Sequence, residues 1–275
     1  MKKLVISADD YAQHVAIDDG ILSLIEMGRI TAASCLVLSP RWTEAAGRIT
    51  PDIRSKADIG LHLDFTQFPQ YMRMPLPILI MRSLLRSLPR KVIRASIMTQ
   101  LNYFEDAMGT PPDYIDGHQH VHQLPQIRDE LVSILHQRYG TAAPWLRIAR
   151  PPVAQGLKAA IIRLLGARSL GYLAKKNGLK HSQLLLGIYG FKGDTSNYRE
   201  YMSDWLQIAN KTGKSCVLMC HPGMENAPVL QDLGDPIYEA RLIEHRIFSN
   251  DAFPALLSRH QIMLVRGRDL LTTGQ

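Results

Sequence analysis

KLVISADDYAQ, residues 3–13, runs from an apolar segment straight into two adjacent aspartates. The first half reads as a buried strand, and the charged pair marks its end. Neighbouring carboxylates repel each other, and a solvated turn would account for them if the pattern stopped there. The pattern recurs. TAASCLVLS (31–39), ADIGLHLDF (57–65), YIDGHQH (114–120), WLRIARP (145–151), LLLGIYG (184–190), SCVLMCH (215–221) and IMLVRGR (262–268) read as further strands or strand ends. Helical spacing fills the intervals near 15–28, 41–48, 98–108, 125–139, 157–176, 197–211 and 237–249.

Seven or eight strand-then-helix units in series imply parallel strands joined by crossover helices, either as a doubly wound sheet or as a closed barrel. The barrel is favoured because polar residues sit at separate strand C-termini, which in α/β barrels converge on one face. Asp9 and Asp10 end the first strand, His62 the third, Asp116 to His122 the fourth, Arg150 the fifth and His221 the seventh. The expectation is an α/β barrel of seven or eight mostly parallel strands. It spans 1–275 as a single domain, with a basic amphipathic insert near 78–97.

Composition narrows the class. A chain of 275 residues with 46% apolar content has ample material for one α/β core. Three scattered cysteines make no disulfide framework; Cys216 and Cys220 lie in the apolar run CVLMC and read as core. No apolar stretch is long enough for a membrane span, and the first residues lack the apolar length of a signal peptide. The expected location is therefore cytoplasmic, at most peripheral to the inner membrane. The net charge of +7 is concentrated. Residues 78–96 and 157–181 are basic and apolar with no acidic residue. Two solvated helix faces explain this, as does contact with an anionic membrane surface or a lipid-linked substrate. No aromatic-bearing motif accompanies the charge, and no nucleic-acid partner is expected. A homodimer is the base-rate expectation.

DGHQHVH (116–122) is the densest chemical signal. Alternate residues of an extended chain share a face, so His118, His120 and His122 would point together if the strand persisted. If it ends within the run, one or two imidazoles reach a metal and the rest support them. His62 in IGLHL and His221 in MCHPG each end an apolar strand before a turn. Two aspartates and several histidines on converging tips form a mixed carboxylate–imidazole metal site. Such donors suit zinc, magnesium, manganese, cobalt or nickel.

ADDYAQ, GLHL, DGHQHVH and MCHPG, in this order and spacing, resemble the YdjC-like family of carbohydrate deacetylases. The resemblance runs from the first strand to at least Gly223. It implies a distorted (β/α) barrel that hydrolyses the N-acetyl group of an amino sugar with one divalent ion, magnesium or zinc. By the same resemblance Asp10, His62 and His118 bind the metal, Asp9 is the catalytic base and His221 the general acid. His120, His122, Arg150 and Tyr11 are expected around the site, contacting substrate or orienting ligands. The chain departs from the family at Ala12, where glycine usually follows the aromatic, which would restrict the backbone beside the pocket. The expected substrate is an N-acetylated oligosaccharide or a lipid-linked glycan. Metal-dependent phosphoester hydrolysis and non-catalytic sugar or lipid binding are the alternatives.

Overall fold

A computed structural model of the chain describes residues 1–69, 71–152, 156–224 and 234–271. Seven parallel strands follow the order β5-β4-β3-β2-β1-β7-β6. They are β1 (Lys2–Tyr11), β2 (Ala32–Cys35), β3 (Asp58–Leu63), β4 (Tyr114–Gly117), β5 (Trp145–Leu146), β6 (Leu184–Leu186) and β7 (Cys216–Cys220). β8 (Ile262–Leu264) pairs with the first residues of β1. The curled sheet is drawn together where the segment leading into β6 meets β5. The Leu146 N–H donates to the Lys180 carbonyl and the Ser182 N–H to the Leu146 carbonyl, both at 2.9 Å. The result is the distorted (β/α) barrel expected from the sequence.

Alternation along β1 divides its side chains between two environments. Leu4, Ile6 and Ala8 pack among the surrounding helices. Val5 faces the interior with Tyr114, Leu185 and Val217. On the same side as Val5, Ser7 lies 2.9 Å from the Tyr114 hydroxyl. Strict alternation would then send Asp9 inward and Asp10 outward. A bulge prevents this. Ala8 pairs with Ala33 but Tyr11 with Cys35, so three steps on β1 oppose two on β2. Asp10 absorbs the difference with φ +71°. Aspartate tolerates this left-handed region better than most residues, and both carboxylates now face the barrel mouth.

Three expected elements are shorter than their sequence patterns, each for a local reason. The fourth strand stops at Gly117; Gln119 (φ +52°) and His120 (φ +61°) then turn the chain through a short 3-10 segment, His118–Gln123. The helix expected over 157–176 is interrupted at Gly166 (φ +139°), where a Cβ would lie 2.0 Å from the Gln123 carbonyl oxygen. β6 ends before Gly187 (φ +88°), whose absent Cβ leaves room for the Met219 carbonyl. One helix is longer than expected, running Arg90–Met108 from a Pro89 N-cap rather than from residue 98. No helix among the described residues is long and apolar enough to cross a membrane.

Ala12 takes φ +74°, a conformation that costs a residue bearing a Cβ about 1–2 kcal/mol. It is held there from both sides. Its N–H donates to Asp18 Oδ1 at 2.6 Å, and Ser39 Oγ donates to its carbonyl at 2.6 Å. The backbone thus adopts the geometry glycine would take, and alanine bears the strain. Ala12→Gly should raise stability by about 0.5–1 kcal/mol net of the glycine's extra unfolded-state entropy. Thermal unfolding checks this; an unchanged or lower midpoint would show that the strain is absent.

Candidate functional site

The strand tips carry the chemistry. Asp10 Oδ1 lies 3.0 Å from His118 Nδ1 and 3.5 Å from His62 Nε2. The three residues' ligand atoms all fall within 4.8 Å of one another, with His118 on the more open side. Asp9 stands on the other flank, its Oδ2 3.8 Å from His62 Nε2 and 3.9 Å from His221 Nε2. All five residues line the floor of a cavity of about 820 Å3.

A buried cation holds the second carboxylate layer. Arg147, 1% exposed, donates to both Asp9 oxygens, at 2.5 and 2.7 Å. Its Nη2 also lies 2.8 Å from Asp116 Oδ2, and its Nη1 donates to Ser7 Oγ at 3.1 Å. Asp116 Oδ1 in turn sits 2.6 Å from His62 Nδ1, while Ser34 Oγ donates to Asp116 Oδ2 at 2.5 Å. Asp9, His62 and Asp116 are also close enough to share an ion. Arg147 already occupies both of those carboxylates, which leaves Asp10, His62 and His118 as the set free to bind one. Asp10's second oxygen accepts from Arg241 Nη2 at 2.8 Å.

The electrostatics fit a cation at that point. Burial alone would raise the Asp10 carboxyl, but Arg241 and the hydrogen bonds from His118 and His62 hold it well below the usual carboxylate range. Burial would likewise depress His62, yet the charges of Asp116 and Asp9 and the Asp10 contact lift it to about 10. Three carboxylates therefore create a strongly negative potential at the His62 ring. One carboxylate oxygen and two imidazole nitrogens form a donor set that accepts zinc as well as harder divalent ions.

The remaining histidines separate by environment. His122 is pushed down to about 4, chiefly by burial, and stays neutral; its Nε2 donates to the Arg147 carbonyl at 2.9 Å. It steadies the backbone that carries the buried guanidinium. His120 lines the cavity, and burial drives its pKa well below the ordinary value. His221 also falls to about 4 by burial; it packs edge-on against Phe191 with ring centres 5.1 Å apart.

The sequence profile of YdjC-like proteins matches residues 3–259. The chain belongs to the YdjC-like family. A chitooligosaccharide deacetylase of Serratia marcescens is 24% identical over 98% of this chain and 99% of its own length. A carbohydrate deacetylase of Danio rerio is 28% identical over 57% of this chain. The chain spans about half the length of that protein, 51%, and of the Proteus mirabilis chitooligosaccharide deacetylase it matches. Among solved structures, an Enterococcus faecalis V583 protein named for cellobiose-phosphate cleavage superposes with TM-score 0.73 at 19% identity, covering 98% of this chain and 99% of its own. The Bc1960 peptidoglycan N-acetylglucosamine deacetylase gives TM-score 0.50 at 11% identity, covering 99% of this chain and 89% of its own. These structures share the barrel fold with this chain.

Two expected site residues lie elsewhere. Tyr11 is buried behind the bulge, its hydroxyl donating to the Ala45 carbonyl at 2.8 Å. Arg150 donates to the Ala167 carbonyl at 3.1 Å and packs over Gly171. Strand parity explains the second displacement. Trp145 and Ala149 belong to the interior cluster, Leu146 and Ile148 to the outer one. Arg147 shares the interior parity, and Arg150 does not. Arg147 was readable from WLRIARP once that alternation was applied, whereas Arg241 and Glu244 come from the helix Tyr238–Ser249 and carry no motif.

Replacing Arg147 by Met should leave two buried carboxylates without their cation and cost about 3–5 kcal/mol in denaturant unfolding. Lys56→Ala, which breaks the exposed Lys56–Asp52 pair, should cost under about 1 kcal/mol. Similar losses in both variants would refute the dependence on Arg147. Glu244 accepts the His221 backbone N–H and, at 2.6 Å, the Tyr189 hydroxyl. Burial pushes its carboxyl from 4.5 up to about 7 despite these bonds. The folded state therefore binds the extra proton, and stability declines as pH rises from about 4.5 through about 7. Glu244→Gln should flatten that decline; pH-dependent unfolding with an unaltered slope would assign it to another group.

Proposed function

We propose that the chain is a divalent-metal-dependent hydrolase that removes the N-acetyl group from an amino sugar and releases acetate. The observation that carries this reading is the meeting of Asp10, His62 and His118 with Asp9 and His221 on one cavity floor. The names of the Serratia and Danio relatives support the acetylated sugar as substrate. Asp10, His62 and His118 would hold the ion, magnesium or zinc. Bound there, such an ion polarises a carbonyl and acidifies water.

The chain's own groups account for the proton movements. Arg147 fixes the Asp9 carboxylate by two hydrogen bonds, so its Oδ2 edge faces the floor without rotamer freedom. Asp9 takes the proton of the attacking water as general base, and the water oxygen bonds to the acetyl carbon. The C–N bond then breaks, and the sugar nitrogen leaves as an amine once a proton reaches it. His221 is the group placed to deliver that proton. Its imidazole is neutral at rest and becomes an acid by accepting the proton that Asp9 has taken from the water. The Asp9 carboxylate 3.9 Å away stabilises the imidazolium once formed.

Asp9→Asn should keep its metal by elemental analysis while acetate release from an N-acetylated chitooligosaccharide falls roughly 10²–10⁴-fold. Asp10→Asn should come through dialysis without metal. Near-normal turnover in both variants would end the proposal.

A further inference from the structure

His221 is fixed through its backbone but not through its ring. Its N–H donates to Glu244, and Arg241 Nη1 donates to its carbonyl at 3.5 Å. The imidazole has no such hold. Nδ1 is buried without a hydrogen-bond partner among the described residues, and Nε2 faces Asp9 Oδ2 across 3.9 Å, beyond hydrogen-bonding distance. A histidine that transfers protons is ordinarily oriented by a partner on its second nitrogen, because rotation about its outer side-chain bond is soft. Packing is the means that remains.

Phe191 supplies it. The two rings stand at 86° with centres 5.1 Å apart, and both residues line the cavity. The backbone at Phe191 is unusual. Its φ is +56°, a left-handed conformation that is an outlier for a bulky side chain and persists only where the surroundings hold it. The contacts of Tyr189 do so. Its hydroxyl donates to Glu244, the same carboxyl that accepts the His221 N–H, and its carbonyl accepts from Lys158 Nζ at 2.8 Å. Lys158 Nζ also lies over the Phe191 ring, 4.2 Å from its centre. The segment after β6 and the tip of β7 are thus tied through one buried carboxyl. Glycine would take this φ without strain, yet the chain keeps an aromatic ring there, against His221.

We propose that Phe191 is a positioning residue for His221, its ring setting the plane from which the imidazolium gives up its proton. This rests on the deacetylase reading and adds the group that aims its acid. In that step the proton leaves the imidazolium for the sugar nitrogen, the C–N bonding pair goes to the same nitrogen, and a neutral imidazole remains. An imidazole rotated away would leave substrate binding intact and slow only this transfer.

Phe191→Leu keeps an apolar group but loses the flat ring; Phe191→Met serves the same purpose should the leucine variant not fold. On an N-acetylated chitooligosaccharide, kcat should fall about 10- to 100-fold with KM within about twofold of wild type. Phe191→Tyr, which retains the ring, should restore most of that rate. In a His221→Ala background the same loss of the ring should cost less than about twofold, since no imidazole is left to aim. Equal losses in both backgrounds, or no loss in either, would overturn the positioning role and leave the deacetylase reading standing. Histidine NMR of the isotope-labelled protein gives a readout without turnover. The His221 ring signals should broaden or double in Phe191→Leu and stay single in Phe191→Tyr. If wild type releases no acetate, the deacetylase reading falls and these signals alone decide the positioning role. Signals unchanged in Phe191→Leu overturn that role whatever the rates.

Discussion

A single buried guanidinium organises the centre of this barrel. Arg147 faces Asp9, Asp116 and Ser7 at once, and the two carboxylates it neutralises come from strands on opposite sides of β3. Burying one such charge alone would be prohibitive; burying three is tolerable because their hydrogen bonds are mutually satisfied. Asp116 is thereby kept ionised against its burial, by Arg147 and by His62, and it aligns the His62 ring through Nδ1. The orientation of Asp9 and of His62 thus depends on the same cation. His122 extends the arrangement one layer further by holding the Arg147 carbonyl.

Around that centre the backbone departs from regular geometry in two places, and both departures aim side chains. The bulge on β1 turns Asp10 onto the face already occupied by Asp9. The left-handed pair Gln119–His120 ends the alternation of DGHQHVH, so His118 reaches Asp10, His120 the cavity wall and His122 the interior. Adjacent aspartates, which repel each other in isolation, are separated in task. One is bound to Arg147, the other to Arg241 and two imidazoles. Their mutual repulsion is offset by two arginines and by the positive charge their potential attracts.

The cavity combines polar and apolar lining, as small-molecule sites commonly do. Its floor is ionic and hydrogen-bonding, while Leu76 and Ile80 on one short helix and Leu157 and Ile161 on another add aliphatic lining beside polar groups such as Gln67 and Lys158. The helices reach the surface with the same residue types, and the segments that bear them exclude carboxylates over long stretches of sequence.

The strand-and-helix series, the barrel and the position of Asp9, Asp10, His62, His118 and His221 at or just beyond strand ends were legible in the sequence. Apolar runs ending in polar residues leave their trace in local order, and strand C-termini share one face in any parallel barrel. The pairing of Arg147 rather than Arg150 with Asp9 lay one step further, in the parity of a strand too short to display its alternation. Arg241 and Glu244 were not legible, because they sit on a helix whose own pattern says nothing of the residues 231 and 23 positions away that they touch. The amino-acid order by itself determined which groups stand at the strand tips. Tertiary structure alone decided which of them meet, because bulge, left-handed turn and buried guanidinium act only once the sheet has curled and brought distant segments within hydrogen-bonding range.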